Sequence, residues 1–329
     1  MERTDTAVAT FLRKLSLFVV VSALIFLGAR PLRAAQAAII VDAKTGCILE
    51  QFQAEKKRQV GSLTKIATAM VVLDWSTKEG GDLNQVATVP QVPVSETGTD
   101  GVGFQPGDSV TLRDLLYAAL VQSDNVAAYT LANHVGQALL AKLPAGPTSA
   151  RGSAVDYFVL QMNALAQHLG MLRTRFLNPS GVDAKEKPFS TASDLARLTR
   201  YAMNNAGFRF YVSQKEREIQ FGRGASRLRY LLRNTNELLG RDNIDGVKTG
   251  RTERAGDCLI LSVARSSEVV QQGTTTLITP RRLIVVLLAS PDRFGEGEAM
   301  LARGWALYDR WAAAGRPLDP KQVLGGPGE

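Results

Sequence analysis

Gly61-Ser62-Leu63-Thr64-Lys65-Ile66-Ala67-Thr68-Ala69-Met70 is the stretch from which the rest of the chain can be read. Apolar residues at Leu63, Ile66, Ala67, Met70, Val71 and Leu73 keep helical spacing, so a helix is expected to start just after Gly61-Ser62. Upstream, Ala38-Ile39-Ile40-Val41-Asp42 and Cys47-Ile48-Leu49-Glu50-Gln51-Phe52 flank Ala43-Lys44-Thr45-Gly46, which reads as a β-hairpin. Downstream, residues 76–108 are loop-rich, and residues 111–170 are mostly helical in period, broken by Pro144-Ala145-Gly146-Pro147. Residues 258–264 and 283–288 are apolar runs of strand length, joined by a long polar loop containing Thr274-Thr275-Thr276. A helical pattern follows over 296–313, and residues 314–329, rich in Pro and Gly, are expected to form a flexible tail. Strands at both ends with helices between predict an α+β fold in which distant segments build one antiparallel sheet flanked by helices. The folded domain is expected over 38–313.

Composition sets the outer limits. Of the 329 residues, 45% are hydrophobic and 21% charged, which supports a sizeable core and excludes wholesale disorder, collagen and coiled coil. The formal charge of +8 is partly concentrated in residues 1–37, and the remaining excess is spread along the chain, so nucleic acid is not an expected partner. Two cysteines, Cys47 and Cys258, exclude a disulfide framework and a zinc cluster of CxxC type. Both lie in apolar strand segments and are expected to be buried thiols. The N-terminus carries Arg13-Lys14, then an uncharged apolar run over 15–29, then Ala34-Ala35-Gln36-Ala37-Ala38. That pattern makes residues 1–37 either a cleaved signal peptide or an N-terminal membrane anchor. Export follows from both, to the periplasm or the outer face of the cytoplasmic membrane, with membrane association at the N-terminus in the second case.

Chemistry enters through three short groups. His134 and His168 have no Ser in a G-x-S-x-G elbow to serve, and both read as structural. Ser62-Leu63-Thr64-Lys65 offers another route: on a helix start, Ser62 and Lys65 project from one face, and a buried amine beside another cation can act as base. By itself the pair also fits an N-cap serine with a solvated lysine. Ser123-Asp124-Asn125 follows the apolar run 115–121, at a helix break where a hydroxyl and a carboxamide can face one cleft, or where the triplet simply caps a helix. Lys248-Thr249-Gly250, within Asp245-Gly246-Val247-Lys248-Thr249-Gly250-Arg251-Thr252, fits a strand edge that offers a cation and a hydroxyl to a carboxylate. A surface turn is its plain alternative, as Lys44-Thr45-Gly46 illustrates.

In this order, spacing and setting the three match the set S-x-x-K, S-D-N and K-T-G. The chain resembles the penicillin-recognising serine enzymes, and most of all the D-alanyl-D-alanine carboxypeptidase family of low-molecular-weight penicillin-binding proteins. Gln105-Pro106-Gly107-Asp108, Phe176-Leu177-Asn178-Pro179-Ser180-Gly181, Ser190-Thr191-Ala192 and Asn234-Thr235-Asn236 extend the likeness over residues 38–310. Departures stand beside it. The second triplet reads Ser-Asp-Asn rather than Ser-Gly-Asn followed by Asp, and Arg251 and Phe189 occupy positions where many relatives carry His. Residues 142–153 and 266–280 look like insertions.

The resemblance implies a β-lactamase/transpeptidase-like fold, an antiparallel sheet flanked by helices plus an all-helical subdomain. It implies a serine-type carboxypeptidase that removes the terminal D-Ala of peptidoglycan stem peptides through an acyl-enzyme, with no cofactor or metal. Ser62 is then the nucleophile, Lys65 its base and Ser123 a proton relay. Asn125 binds peptide backbone, Lys248 and Thr249 hold the terminal carboxylate, and Gly250 lets the substrate approach. The N–H groups of Ser62 and Arg251 form the oxyanion hole. β-Lactams are expected to be covalent inhibitors. The alternatives are a D,D-endopeptidase of peptidoglycan cross-links, a β-lactamase, or a poorly catalytic module that binds wall or senses β-lactams.

Overall fold

The structure is a computed structural model, and it describes residues 35–93, 101–143 and 152–325. The expected hairpin forms from β1 (Ala37–Asp42) and β2 (Ile48–Phe52), turning through Gly46 at φ 78°. Three long-range strands complete the sheet: β7 (Ile244–Thr252), β8 (Gly256–Gln272) and β9 (Thr275–Ser290). Strand order is β2-β1-β9-β8-β7, and every pairing is antiparallel. β1 pairs with β9 over its whole length, from Ala37 opposite Leu288 to Asp42 opposite Leu283, so the first and last strands of the domain close on each other.

Side-chain alternation explains why these strands read as unbroken apolar runs. Ile39, Val41, Ile260, Ile284 and Val286 face one core, whereas Ile40, Leu259, Leu261, Leu283 and Val285 face another. The second core is covered by the C-terminal helix, given below, through Met300, Leu301, Trp305 and Tyr308. A sheet buried on both faces has no polar face to show in sequence.

The predicted helix begins as a 3-10 turn, Gly61–Thr64, and continues as α1 (Lys65–Glu79), ended by Gly80 in the left-handed region at φ 73°. From Ile66 to Leu73 every residue of α1 is buried, which makes it the central helix of the molecule. Around it pack α2 (Leu112–Val121), α3 (Asn125–Ala141), α4 (Ala154–His168), α5 (Ala192–Asn204) and α6 (Ala206–Val212). α7 (Arg293–Ala313) lies on the far face of the sheet. Local chemistry sets the starts: Thr111, Asp124, Thr191, Asn205 and Asp292 each accept a backbone N–H of the first turn, and Ser153 with Asp156 makes a reciprocal capping box.

The structure corrects four expectations. A second sheet, β3-β4-β5-β6, is formed by β3 (Val86–Thr88), β4 (Ser109–Thr111), β5 (Glu216–Arg223) and β6 (Ser226–Arg233). β3 and β4 are only three residues long, and β5 and β6 bury little beyond Ile219, Phe221 and Leu232, so their alternation is faint. The polar loop expected between the last two long strands is instead paired strand: β8 and β9 continue as a ribbon from Glu268 opposite Thr279 to Gln272 opposite Thr275. Val269, Val270, Leu277 and Ile278 supply its β-forming residues while staying exposed. The fold begins before residue 38, since Ala37 is already in β1 and the Ala35 N–H donates to Glu296 Oε2 at 2.8 Å.

The expected flexible tail is also folded over its described part. Residues 320–322 form a 3-10 turn, Val323 bridges Cys47, and Leu324 is 2% exposed. Arg200 on α5 clamps this segment, donating to the carbonyls of Ala43 (3.0 Å), Leu324 (3.1 Å) and Lys44 (3.2 Å). The signal or anchor expected over 1–37 falls, but for its last three residues, outside the described residues. Cys47 and Cys258 are both buried and free, as expected.

Removing residues 318–329 should therefore uncover Cys47 while leaving Cys258, 0% exposed inside β8, protected. The expected outcome is one rapidly labelled thiol in the truncated protein and none in the full chain under native conditions. Loss of the clamp should also lower Tm by about 4 °C. An unreactive Cys47 in the truncated protein would show that the segment does not cover it.

Candidate active site

Two helix starts and the middle of the outer strand meet at one cleft. The 3-10 turn puts Ser62 and Lys65 on one face, and the Lys65 Nζ donates to Ser62 Oγ at 2.9 Å. Asn125, first residue of α3, supplies Oδ1 to the same ammonium at 2.6 Å, and the Ser180 carbonyl accepts from it at 2.8 Å. Lys65 is 1% exposed, whereas Ser62 is half-buried and open to the cleft. An ammonium with three oxygen acceptors has all its protons placed. Loss of one proton leaves a lone pair facing Ser62 Oγ with the other two bonds intact.

Packing around Ser62 is close enough to require glycine on three sides. Gly181 sits at φ 83°, and a Cβ there would overlap the Gly61 carbonyl oxygen. At Gly250, on β7, a Cβ would stand 2.7 Å from the Val60 oxygen. Gly61 itself, at φ 54°, abuts the Arg251 N–H, which an added Cβ would approach to 3.1 Å. The turn that carries Ser62 is thus pressed between the 178–181 loop and the outer strand of the sheet. That loop is fixed to α1 by Thr68, whose hydroxyl donates to the Pro179 carbonyl at 2.6 Å, and folded on itself by Asn178 Oδ1, which accepts from the Gly181 N–H at 2.6 Å.

The second triplet divides its labour. Asp124 is the N-cap of α3, accepting from Ala127 N and, across the chain, from Val102 N, both at 2.6 Å. Burial pushes its carboxyl up, against the pull of those N–H groups and of Lys65. Ser123 holds a left-handed backbone at φ 70°, two residues before Asn125. Its hydroxyl makes no hydrogen bond among the described residues.

Lys248 and Thr249 lie on β7, the sheet's outer strand, and both are buried. The Lys248 ammonium donates to the Thr249 carbonyl at 3.0 Å. Burial first, then the charges of Lys65 and Arg293, hold Lys248 well below the usual lysine value. The Thr249 hydroxyl shares a 2.6 Å hydrogen bond with Thr235. Thr235 in turn donates its N–H to Val121 at the end of α2, and Asn236 donates to the Gly246 carbonyl. The segment Asn234-Thr235-Asn236 therefore ties the helix break of the second triplet to the strand of the third. The Arg251 side chain is exposed, with Nε 3.4 Å from Asp257 Oδ1, so what Arg251 turns toward the Gly61-Ser62 turn is its backbone.

Of the eight residues singled out in the sequence, Ser62, Lys65 and Asn125 are joined by hydrogen bonds, Gly250 and the Arg251 backbone abut the turn that carries Ser62, and Lys248, beside Thr249, lies in the field of Lys65; Ser123 is placed by its backbone alone, two residues before Asn125. Three contributors were not assigned a role there: the Ser180 carbonyl, the Thr235 hydroxyl and Arg293, which donates to the Gly250 carbonyl at 3.4 Å. The first two lie in Asn178-Pro179-Ser180-Gly181 and Asn234-Thr235-Asn236, stretches that already stood out in sequence. Arg293 had no local signal. An amine–hydroxyl pair, a carboxamide and a buried cation thus lie around one half-buried serine, groups whose chemistry is compatible with nucleophilic acyl transfer.

Comparison with known proteins agrees. Residues 28–272 match the family described as D-alanyl-D-alanine carboxypeptidase. The D-alanyl-D-alanine carboxypeptidase DacC of Escherichia coli is 30% identical over 84% of this chain, and the chain spans 62% of that relative's length. A D-alanyl-D-alanine endopeptidase of Pseudomonas aeruginosa is 31% identical over 83% of this chain and 77% of its own. The crystal structure of the Streptomyces K15 DD-transpeptidase superimposes with a TM-score of 0.68 at 29% identity, covering 84% of this chain and 98% of that one.

Burying Lys248 should cost stability in a pH-dependent way. Its folded value is lowered, so the unfolded chain binds more protons than the folded one, and stability rises as pH climbs from the lowered value toward the ordinary value of 10.5. Lys248→Met is expected to raise Tm at pH 7 by about 2–4 °C. The gain should shrink steadily as pH is raised toward 10. Thermal melts of both proteins across that range check the sign, and a gap that widens with pH would refute it.

Proposed function

Because this chain belongs to the D-alanyl-D-alanine carboxypeptidase family of serine hydrolases, we propose that it removes the terminal D-Ala from peptidoglycan stem peptides through an acyl-enzyme on Ser62. The observation that carries this reading is the Lys65 ammonium held at 2.9 Å from Ser62 Oγ by Asn125 and the Ser180 carbonyl. Neutral Lys65 takes the Ser62 proton as Oγ attacks the carbonyl of the penultimate residue. The oxyanion points to the Ser62 and Arg251 N–H groups, each donor worth about 3–4 kcal/mol in comparable sites. As the C–N bond breaks, the Ser123 hydroxyl passes a proton to the departing D-Ala nitrogen. Water then attacks the ester and restores Ser62.

Substrate orientation follows from charge. The terminal carboxylate supplies the counter-charge that Lys248 lacks in the free cleft, with Thr249 donating beside it, and Gly250 leaves room for peptide backbone along the edge of β7. Asn125 binds that backbone with the amide nitrogen left over from its contact with Lys65. Cleavage of cross-links is the second reading, favoured by the relative named endopeptidase. It uses the same residues on a branched leaving group. Residues 1–37, as a signal or anchor, would deliver the domain to the periplasm or the outer face of the cytoplasmic membrane; no described helix is long and apolar enough to cross a membrane.

D-Ala release from a synthetic pentapeptide ending in D-Ala-D-Ala, run beside cleavage of a cross-linked dimer, tests the reading and separates its two forms. Lys65→Ala is expected to lose about 10³-fold or more in kcat, as much as Ser62→Ala, because members of one catalytic unit are not additive. A folded Lys65→Ala protein that keeps most of its activity would remove Lys65 as the base.

Penicillin gives an independent check. The β-lactam imitates acyl-D-Ala-D-Ala, and opening its ring by Ser62 leaves the nitrogen tethered rather than released. Class A β-lactamases clear the adduct with a Glu downstream of the second triplet, whereas here no Glu occurs between Glu96 and Glu186. A long-lived adduct is expected, read as one added drug mass on the peptide containing Ser62. Rapid drug loss without an adduct, or an adduct elsewhere, would overturn the assignment.

A further inference from the structure

Beside the nucleophile turn lies a second pocket of about 560 Å³ whose lining includes Lys57, Arg58, Gln59, Lys187, Phe189 and Arg254. Three separate segments contribute: the run leading into Ser62, the 184–190 loop, and the turn that follows β7. The pocket is built rather than incidental. Arg58 exchanges two backbone hydrogen bonds with Ser190, both 2.8 Å, which joins the first segment to the second. Asp183 joins the second to the third, accepting from the Thr252 hydroxyl at 2.9 Å and the Arg254 N–H at 3.2 Å, and Arg254 Nη1 donates to the Ala184 carbonyl at 2.9 Å.

Four cations thus share one concavity, and among the described residues none of them forms a salt bridge. The one carboxylate of the 184–190 loop, Glu186, pairs instead with Arg175 at 3.0 Å. Arg58 Nε is buried without a hydrogen-bond partner, a costly state for a cationic donor unless something else accepts from it. Gln59 Oε1 is buried and unpartnered too. The Lys57 ammonium stands 4.3 Å from the centre of the Phe189 ring, which positions it without neutralising it.

Position tells what comes here. With the terminal carboxylate at Lys248-Thr249 and the scissile carbonyl at the Arg251 N–H, the substrate runs antiparallel to β7, and its upstream residues pass Thr252 and arrive at Arg254. At about 3.3 Å per extended residue, one or two residues cover that distance. We infer that this pocket is a specificity site for a free carboxylate carried by the stem peptide one or two residues upstream of D-Ala-D-Ala. The inference rests on the reaction proposed above and adds a second anion site on the acyl side of the scissile bond.

Two peptides ending in D-Ala-D-Ala, identical except for a carboxylate or a carboxamide at those upstream positions, provide the test. The carboxylate peptide is expected to show a KM lower by about tenfold, with kcat close to that of its twin. In Lys187→Gln/Arg254→Gln, whose folding is checked by its thermal melt, that ratio should fall to near one. Equal KM values in the wild-type protein overturn the inference alone. A preference that survives in the double variant removes it from this pocket. Hydrolysis of neither peptide would overturn the proposed reaction first, and this inference with it.

Discussion

Two ammonium groups buried in one cleft set the terms for the rest of the structure. Lys65 and Lys248 are each 1% exposed, and each lies within the other's field. Positive charge without water must find oxygen, so the surrounding chain is shaped to bring it: a carbonyl from the 178–181 loop, a carboxamide from the start of α3, a carbonyl from β7 itself. The two that serve Lys65 come from segments far from it in sequence. Lys65 in particular is satisfied only once the central helix, the start of α3 and the 178–181 loop have come together, whereas Lys248 takes its oxygen from the next residue of its own strand, so it is Lys65 that links the integrity of the fold to that of the site.

Glycine is what lets these segments come so near. Gly61, Gly181 and Gly250 each lie where a methyl group would push neighbouring backbone away from the turn that carries Ser62. Close approach serves two ends. It lays the Ser62 turn against the Arg251 N–H, and it keeps Lys65 under a cover of backbone instead of water. The strain at Ser123, in the left-handed region, belongs to the same arrangement, since it turns the chain from the end of α2 into the first residue of α3.

Much of this was legible in the residues. The hairpin, the helix beginning at Ser62 and the three triplets could all be read because each depends on a local signal: a turn residue, an apolar period, a pair of functional groups at fixed spacing. What escaped was whatever depends on partners distant in sequence. β5 and β6 hide behind arginines and glutamates because only one side of each touches a core. The role of the Ser180 carbonyl is invisible in sequence, since every residue has one and only the fold selects which is used. The C-terminal segment reads as loose because it is rich in Pro and Gly, yet it is held by Arg200, more than a hundred residues earlier.

The ribbon formed by the outer halves of β8 and β9 has a different character from the sheet it grows out of. Near Leu259 and Leu261, β8 is hydrogen-bonded on both sides, to β7 and to β9; beyond Glu268 it has β9 alone, and its apolar side chains meet solvent. Opening free energy should thus fall along a single strand, from that of global unfolding at the base to little at the tip. Amide hydrogens there would exchange within the native state, by fraying that stops at the irregular pairing between Arg265 and Glu268. One continuous strand then spans two regimes of motion, with the irregularity between Arg265 and Glu268 as the boundary between them.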